Sequence, residues 1–296
     1  MKEVALLGAT ASGKSALAID IAKEVDANIL SLDSLSIYKE VDIVSAKPSL
    51  EERMGVKHFG IDVLYLNQYF SVATFFKLYK EARDISIKEG KNLIIVGGTS
   101  FYLKSMIEGL SPKILPSIET LKKIESRLQN LDDAYLFLST HDRVYAKKIS
   151  SSDSYRIQKW YEIYFESGLS ATDFFTKNRK EPLLSHIDVF DIEVDRDVLR
   201  DRIAQRTSLM IENGLIDEIF YLDKKYGRLP RSMKAIGITE TLDYLDGKID
   251  IKTLEILITT HTIQLAKRQE TFNKSQFSNI NKNIKRDLKN IIISKF

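Results

Sequence analysis

Gly8-Ala9-Thr10-Ala11-Ser12-Gly13-Lys14-Ser15 decides how the rest of the chain is read. It has the spacing G-x-x-x-x-G-K-S, with the apolar run Val4-Ala5-Leu6-Leu7 before it and a helical pattern over 16–22 after it. Strand, glycine-rich turn and helix in that order are the setting of a phosphate-binding loop. The glycines let the backbone wrap closely around a diphosphate, and the loop amides and helix N-terminus supply donors to it. Lys14 adds a mobile point charge for phosphate oxygens, and the Ser15 hydroxyl is a hard donor suited to magnesium. An ordinary Gly-containing strand-to-helix turn is the competing reading, and it leaves the Lys-Ser pair unexplained.

Working outward, 27–34 reads as a second buried strand ending in polar residues at Asp33. Ligands of an open parallel sheet lie beyond the carboxyl ends of its strands, so Asp33 is expected on the edge that carries the loop. A carboxylate beside a bound diphosphate has two chemical uses, sharing the magnesium or taking a proton; a turn or helix-cap aspartate is the structural alternative. The stretch 38–48, with Ser45-Ala46-Lys47-Pro48, has weak periodicity and is expected to be loop and short helix over that edge. A helix is expected over 71–88. Asn92 to Thr99 forms a third strand, which ends in Gly97-Gly98-Thr99 instead of the acidic residue common in phosphate-loop NTPases. That ending argues against an ATPase or GTPase motor, and Thr99 offers a hydroxyl to a phosphate or leaving oxygen.

Ser111 to Ser117 contains two of the chain's five prolines and marks an exit from the core. The pattern is helical from there to about His186, with eleven Lys or Arg against ten Asp or Glu, so net charge says nothing about this insertion. A helix from Asp153 would put Arg156 and Lys159 on one face, for RNA contact or simply for solvent. A returning strand is expected at 188–194, followed by a helix with Arg202 and Arg206 on one face. Two such guanidiniums suit a diphosphate, with salt bridging to Asp197 or Asp201 as the alternative. A further helix is expected over 254–273, and the tail 279–296, five Lys or Arg against one acid, reads as a basic amphipathic end. The expected fold class is α/β: a P-loop NTPase-like parallel sheet core flanked by helices (1–113 and 187–296) with an all-helical insertion domain (114–186).

Composition narrows the chemistry. The 296 residues contain no cysteine, which excludes disulfides, thiolate metal sites and Cys nucleophiles. The four histidines, at 58, 141, 186 and 261, lack metal-ligand spacing. A net charge of +3 neither announces nucleic-acid binding nor excludes it. No apolar run suits a membrane span or signal peptide, so no membrane partner and a cytoplasmic setting are expected.

Taken together, these segments resemble the bacterial tRNA dimethylallyltransferases, or tRNA isopentenyltransferases, over nearly the whole chain. The matching stretches are G-A-T-A-S-G-K-S from Gly8, I-L-S-L-D-S from Ile29, S-A-K-P from Ser45, V-G-G-T from Val96, E-G-L-S-P from Glu108, R-I-A-Q-R from Arg202 and Q-L-A-K-R-Q from Gln264. Their order and spacing make the match specific. The resemblance implies a core that holds dimethylallyl diphosphate and an insertion that grips the tRNA anticodon stem-loop. The product it implies carries a dimethylallyl group on the exocyclic amine of the adenosine 3′ of the anticodon, in tRNAs reading UNN codons. It implies Asp33 as general base and Thr99 as hydrogen-bond partner of the bridging oxygen. It implies Thr10, Ala11, Ser12, Gly13, Lys14 and Ser15 as the diphosphate cradle, with Mg2+ at Ser15 and Arg202 as a second clamp. Contacts to tRNA are implied for Asp33, Ser34, Leu35 and Ser36, and for Tyr155, Arg156, Ile157, Gln158 and Lys159. A monomer is expected.

Three departures from the family pattern stand out. Lys159 replaces a frequent Arg, Ala235-Ile236-Gly237-Ile238-Thr239-Glu240 replaces A-x-G-Y-K/R-E, and Thr271-Phe272 replaces Thr-Trp. These positions are expected outside the diphosphate site. Two rival functions share the loop: a small-molecule or nucleotide kinase, and a non-catalytic RNA-binding protein.

Overall fold

The structure, a computed structural model, describes residues 1–178 and 181–296. Arg179 and Lys180, counted among the insertion's basic residues, lie outside the described residues. The chain divides into two compact units, Met1–Ile107 with Leu184–Phe296, and Glu108–Leu183. The boundaries lie at 107/108 and 183/184 rather than at 113/114 and 186/187. The Leu184 N–H donates to the Met106 carbonyl, which draws the returning chain into the first unit before its strand begins.

The first unit is built on a six-stranded parallel sheet. Its strands are β1 (Glu3–Leu7), β2 (Ala27–Ser31), β3 (His58–Phe59), β4 (Asn92–Gly97), β5 (Asp188–Glu193) and β6 (Ile280–Ile284), in the order β3-β2-β4-β1-β5-β6. β1 and β4 are buried along nearly their whole length, which is why they read as continuous apolar runs rather than alternating ones. The helix Lys14–Glu24 buries Leu17, Ala18, Ile21 and Ala22 against the sheet. The helix Lys285–Ile293 adds Leu288 and Ile292 to the same cluster. The basic tail is therefore a strand and a core helix, with its lysines left on the outer side. Its run of consecutive polar residues, Asn281, Lys282 and Asn283, shows neither an apolar run nor alternation and hid β6, an edge strand.

The helix Val72–Glu89 begins where Ser71 accepts the Thr74 N–H and ends at left-handed Gly90. A second cluster packs the loop residues Ile37, Tyr38, Val41 and Val44 against helices Leu215–Tyr226, Ile238–Leu245 and Ile251–Gln276. The expected short helix over 38–48 is absent; the segment is turns, tied by its side chains. Glu218 accepts the backbone N–H groups of Asp42, Ile43 and Val44 at 2.7 to 3.0 Å. The two-residue β3 was too short to show a period. No helix among the described residues is long and apolar enough to cross a membrane.

The second unit is helical, with Ile118–Leu128, Leu131–His141, Arg143–Ala146, Ser154–Ser167 and Ala171–Lys177. Trp160 and Tyr161 are fully buried at its centre. Asp142 is buried beside them and is fully engaged. It accepts from Trp160 Nε1 at 3.1 Å, the Thr172 N–H at 2.9 Å, Thr172 Oγ1 at 2.6 Å and the Tyr145 N–H at 3.0 Å. Burial alone would raise the Asp142 pKa, but the bonds from Thr172, Tyr145 and Trp160 outweigh it and hold the carboxyl below its usual range. Its contribution to stability is therefore fully present above the unfolded-state pKa of about 3.9 and is lost as pH falls through the lower folded-state value. Asp142→Ala would strand the buried Trp160 and Thr172 donors, at a cost of about 2 to 4 kcal/mol. Urea denaturation followed by the fluorescence of Trp160, the chain's single tryptophan, would show a correspondingly earlier midpoint for this unit.

Candidate active site

The phosphate loop leaves β1 and turns into the helix Lys14–Glu24. Ala11 and Gly13 adopt left-handed φ values of 61° and 85°. The first helical turn has amides with no intrahelical acceptor, and Gly13 has no side chain to cap them. Two of the loop amides are already used. The Ser12 N–H donates to the Ala9 carbonyl at 3.2 Å, and the Thr10 N–H donates to Gln269 Oε1 at 2.9 Å. Ser12 is buried, so the face offered to a ligand is that of Thr10, Lys14 and Ser15. Lys14 Nζ lies 3.3 Å from the Ala9 carbonyl. Burial lowers its pKa to about 8; Asp33 raises it, Arg206 lowers it and Asp191 raises it, in decreasing order.

β2 and β4 deliver the other half of the site. The Leu32 N–H donates to Val96 O at 2.6 Å and the Thr99 N–H to Leu32 O at 3.1 Å, so the chain segments leaving the two strands stay paired. A Cβ on Gly97 would lie 2.2 Å from Leu32 O, so only glycine permits this approach. Asp33 follows directly. Its Oδ1 accepts the N–H groups of Leu35 and Ser36 at 2.8 and 3.0 Å, which fixes the carboxylate. The turn role therefore occupies Oδ1 with these two bonds.

Two cavities meet here. The smaller has apolar walls from Ala18, Ile29, Ile61 and Val96, and it also contains Ser15, Ser36 and Lys47. The larger, about 340 Å3, is lined by Ser34, Leu35, Thr99, Lys234 to Gly237, Ile258 and Gln269. Thr10, Lys14, Asp33, Ser45 and Arg206 line both. A carboxylate, an ammonium and a guanidinium therefore converge at the junction. Ser15 and Asp33 also place two hard oxygen donors in one cavity. Among the described residues no group of three or more acidic or His side chains forms a metal cage. Magnesium needs none when one or two protein oxygens are joined by phosphates, so the donor set fits that ion.

The helix Arg196–Glu212 corrects one expectation. Arg202 is exposed and lines neither cavity; Arg206, one turn on, points in. Arg206 Nη1 reaches Thr10 Oγ1 at 3.4 Å and its Nη2 lies 3.5 Å from Ser45 O. Burial lowers its pKa while Asp33 raises it. The salt bridge on this helix is Arg200 with Asp197, on the exposed side.

Of the residues expected at RNA, Ser34 is exposed, Leu35 half-buried and Ser36 buried against Ser31 Oγ. In the second unit, Tyr155, Arg156 and Lys159 are exposed, and Gln158 is half-buried. Arg156 pairs with Asp153, and Lys159 with the buried Glu162 at 2.6 Å. Ile157 is fully buried in that unit's core, which removes its side chain from any RNA contact; helical periodicity puts it on the opposite face from its neighbours. Ala235, Ile236 and Gly237, which keep the family's A-x-G, line the larger cavity with Lys14, whereas Ile238 and Thr239, where the pattern departs, line neither cavity.

A family model described as IPP transferase matches residues 36–276. The chain belongs to this family. The tRNA dimethylallyltransferase of Sulfurimonas denitrificans is 54% identical over 99% of each chain, and that of Aliarcobacter butzleri is 50% identical over 100% of this chain and 99% of its own. A tRNA isopentenylpyrophosphate transferase of known structure from Bacillus halodurans has a TM-score of 0.73 at 28% identity, covering 99% of this chain and 96% of that one. A eukaryotic dimethylallyltransferase, described as acting on tRNA, has a TM-score of 0.80 at 25% identity, over 97% and 75%. The chain is accordingly a transferase, with the α/β fold of its solved relatives.

Glu218 carried no sequence signal, and Gln269 stood out only as the last residue of Q-L-A-K-R-Q, with no role: a polar residue on a helix carries no local sign of what it bonds to. Arg206 was legible only as one of two. The half-buried Lys14, with its lowered pKa, makes ligand binding pH-dependent. A bound diphosphate favours the ammonium, so the pKa of Lys14 rises in the complex. Affinity for an alkyl diphosphate is then level below about pH 8 and falls above it by up to tenfold per pH unit. Calorimetric titration between pH 7 and 10 would show this fall, and Lys14→Arg would abolish it because a guanidinium does not titrate there.

Proposed function

We propose that the chain transfers the dimethylallyl group of dimethylallyl diphosphate to the exocyclic amine of the adenosine immediately 3′ of the anticodon, in tRNAs reading UNN codons. The observation that carries this reading is the junction of two cavities at Asp33, Lys14 and Arg206, in a member of a family whose named relatives are tRNA dimethylallyltransferases. One cation pair suits a diphosphate, and one fixed carboxylate suits a proton.

The amine nitrogen attacks the allylic carbon. The carbon–oxygen bond breaks, and its electron pair leaves with diphosphate. The amine's lone pair is delocalised into the ring, so it is a weak nucleophile, and Asp33 takes its proton as the new bond forms. Oδ2 serves for this, since Oδ1 is held by Leu35 and Ser36. Lys14, Arg206 and the first-turn amides of the helix neutralise the leaving charge, and Thr99 donates its hydroxyl to the bridging oxygen. Arg206 takes the role first given to Arg202. Ser15 would hold Mg2+, which would supply further neutralisation of phosphate charge when bound.

The adenine must leave the anticodon-loop stack, at a cost of a few kcal/mol. The larger cavity, with Ser34 and Leu35 at its wall, is roomy enough to receive it. Tyr155, Arg156, Gln158 and Lys159 are the second unit's candidates for the anticodon stem-loop. The protein acts as a cytoplasmic monomer.

Incubation with radiolabelled dimethylallyl diphosphate, magnesium and unmodified tRNA would put label into the RNA, and nuclease digestion would locate it. Label absent, with ATP consumed as the rival donor, would overturn the reading in favour of a kinase. Asp33→Ala is expected to lower turnover about 10²- to 10⁴-fold with tRNA affinity nearly unchanged. Normal turnover with lost affinity would remove Asp33 from the role of base.

A further inference from the structure

The carboxamide of Gln269 joins the two halves of the site. Its Oε1 accepts the Thr10 N–H at 2.9 Å and its Nε2 donates to the Gly98 carbonyl at 3.1 Å. The parallel pairing of β1 with β4 ends at Leu7 and Gly97. Beyond that rung no further β1–β4 pairing links the phosphate loop to the Thr99 segment. Gln269 takes that place from the side, offering one acceptor and one donor as a peptide group would.

We propose that Gln269 is a positioning residue: its carboxamide acts as a detached peptide link that extends the β1–β4 ladder one step past the sheet, fixing the distance between phosphate loop and Thr99. This rests on the diphosphate-site reading above. Three observations support it. A Cβ on Gly98 would lie 2.3 Å from Gln269 Nε2, so glycine is required there to admit the amide. Gln269 is rigidly mounted, because Ala266 and Asn273 on the same helix face are buried. Thr10 is tethered a second time, through Oγ1, by Arg206. The Thr10 amide is consequently spent on structure and is no donor to diphosphate.

The link has strict chemical requirements. Glutamate would turn an oxygen towards the Gly98 carbonyl, and asparagine is one methylene too short. Methionine would fill the space with neither bond. Displacement of reacting groups by about 1 Å costs on the order of 100-fold in rate. Gln269→Met and Gln269→Ala are therefore expected to lower kcat about 30- to 100-fold, with KM for tRNA within about twofold of wild type. Gly98→Ala should lower kcat alike. In the Gln269→Ala background it should cost less than about threefold more, because the amide it displaces is already gone.

The experiment is steady-state kinetics on the four single variants Q269M, Q269A, Q269E and G98A and the Q269A/G98A double variant, beside calorimetric binding of inorganic diphosphate to the wild type. Loss of kcat in Q269M, no recovery in Q269E and non-additivity in the double variant support the link. A kcat within about threefold of wild type in Q269M, or multiplicative effects of Q269A and G98A, overturns it. Wild type that binds no diphosphate brings down the underlying site reading instead, and the link with it.

Discussion

Everything at the site depends on how closely two backbones approach at Gly97. The Leu32 carbonyl occupies the space where a side chain at 97 would begin, 2.2 Å from the position of its Cβ. That approach lets the Thr99 N–H reach Leu32 O, which brings the residue after β4 beside the residues after β2. Asp33 and Thr99 are then neighbours of one cavity because their backbones are bonded, not because their side chains attract. Many enzymes of this architecture spend the end of this strand on an acidic metal ligand. Here the same position is given up to closeness, and the carboxylate comes from β2 instead.

The electrostatics follow from that arrangement. Loss of solvent pushes both Lys14 and Arg206 towards neutrality, and the Asp33 carboxylate opposes this at each. Two half-buried cations and one carboxylate leave the junction with net positive character, which suits a diphosphate and costs desolvation.

The core of the fold was legible because its strands are central and parallel. β1 and β4, buried on both faces, have to be continuous apolar runs, and those runs are visible without any alignment. β3 and β6 were not, since a two-residue strand has no period and an edge strand needs no apolar pattern. Within the site, the residues on the loop and at strand ends could be read from position alone. Arg206 and Gln269 could not, because their partners, Thr10, Ser45 and Gly98, lie far away in sequence. Ile157 failed for the opposite reason: a contiguous segment was carried over whole, although one helical residue in it must face inward.

The placement of the second unit has a consequence for the order of folding. β1 lies between β4 and β5, so its two neighbours are separated in the chain by the whole of Glu108–Leu183. During synthesis the four strands β3-β2-β4-β1 emerge before β5, the partner of the other edge of β1. The helical unit comes next in the chain and is made before β5. The phosphate loop, at the mouth of β1, therefore has Arg206 and Gln269 as partners only once the last third of the protein has been made.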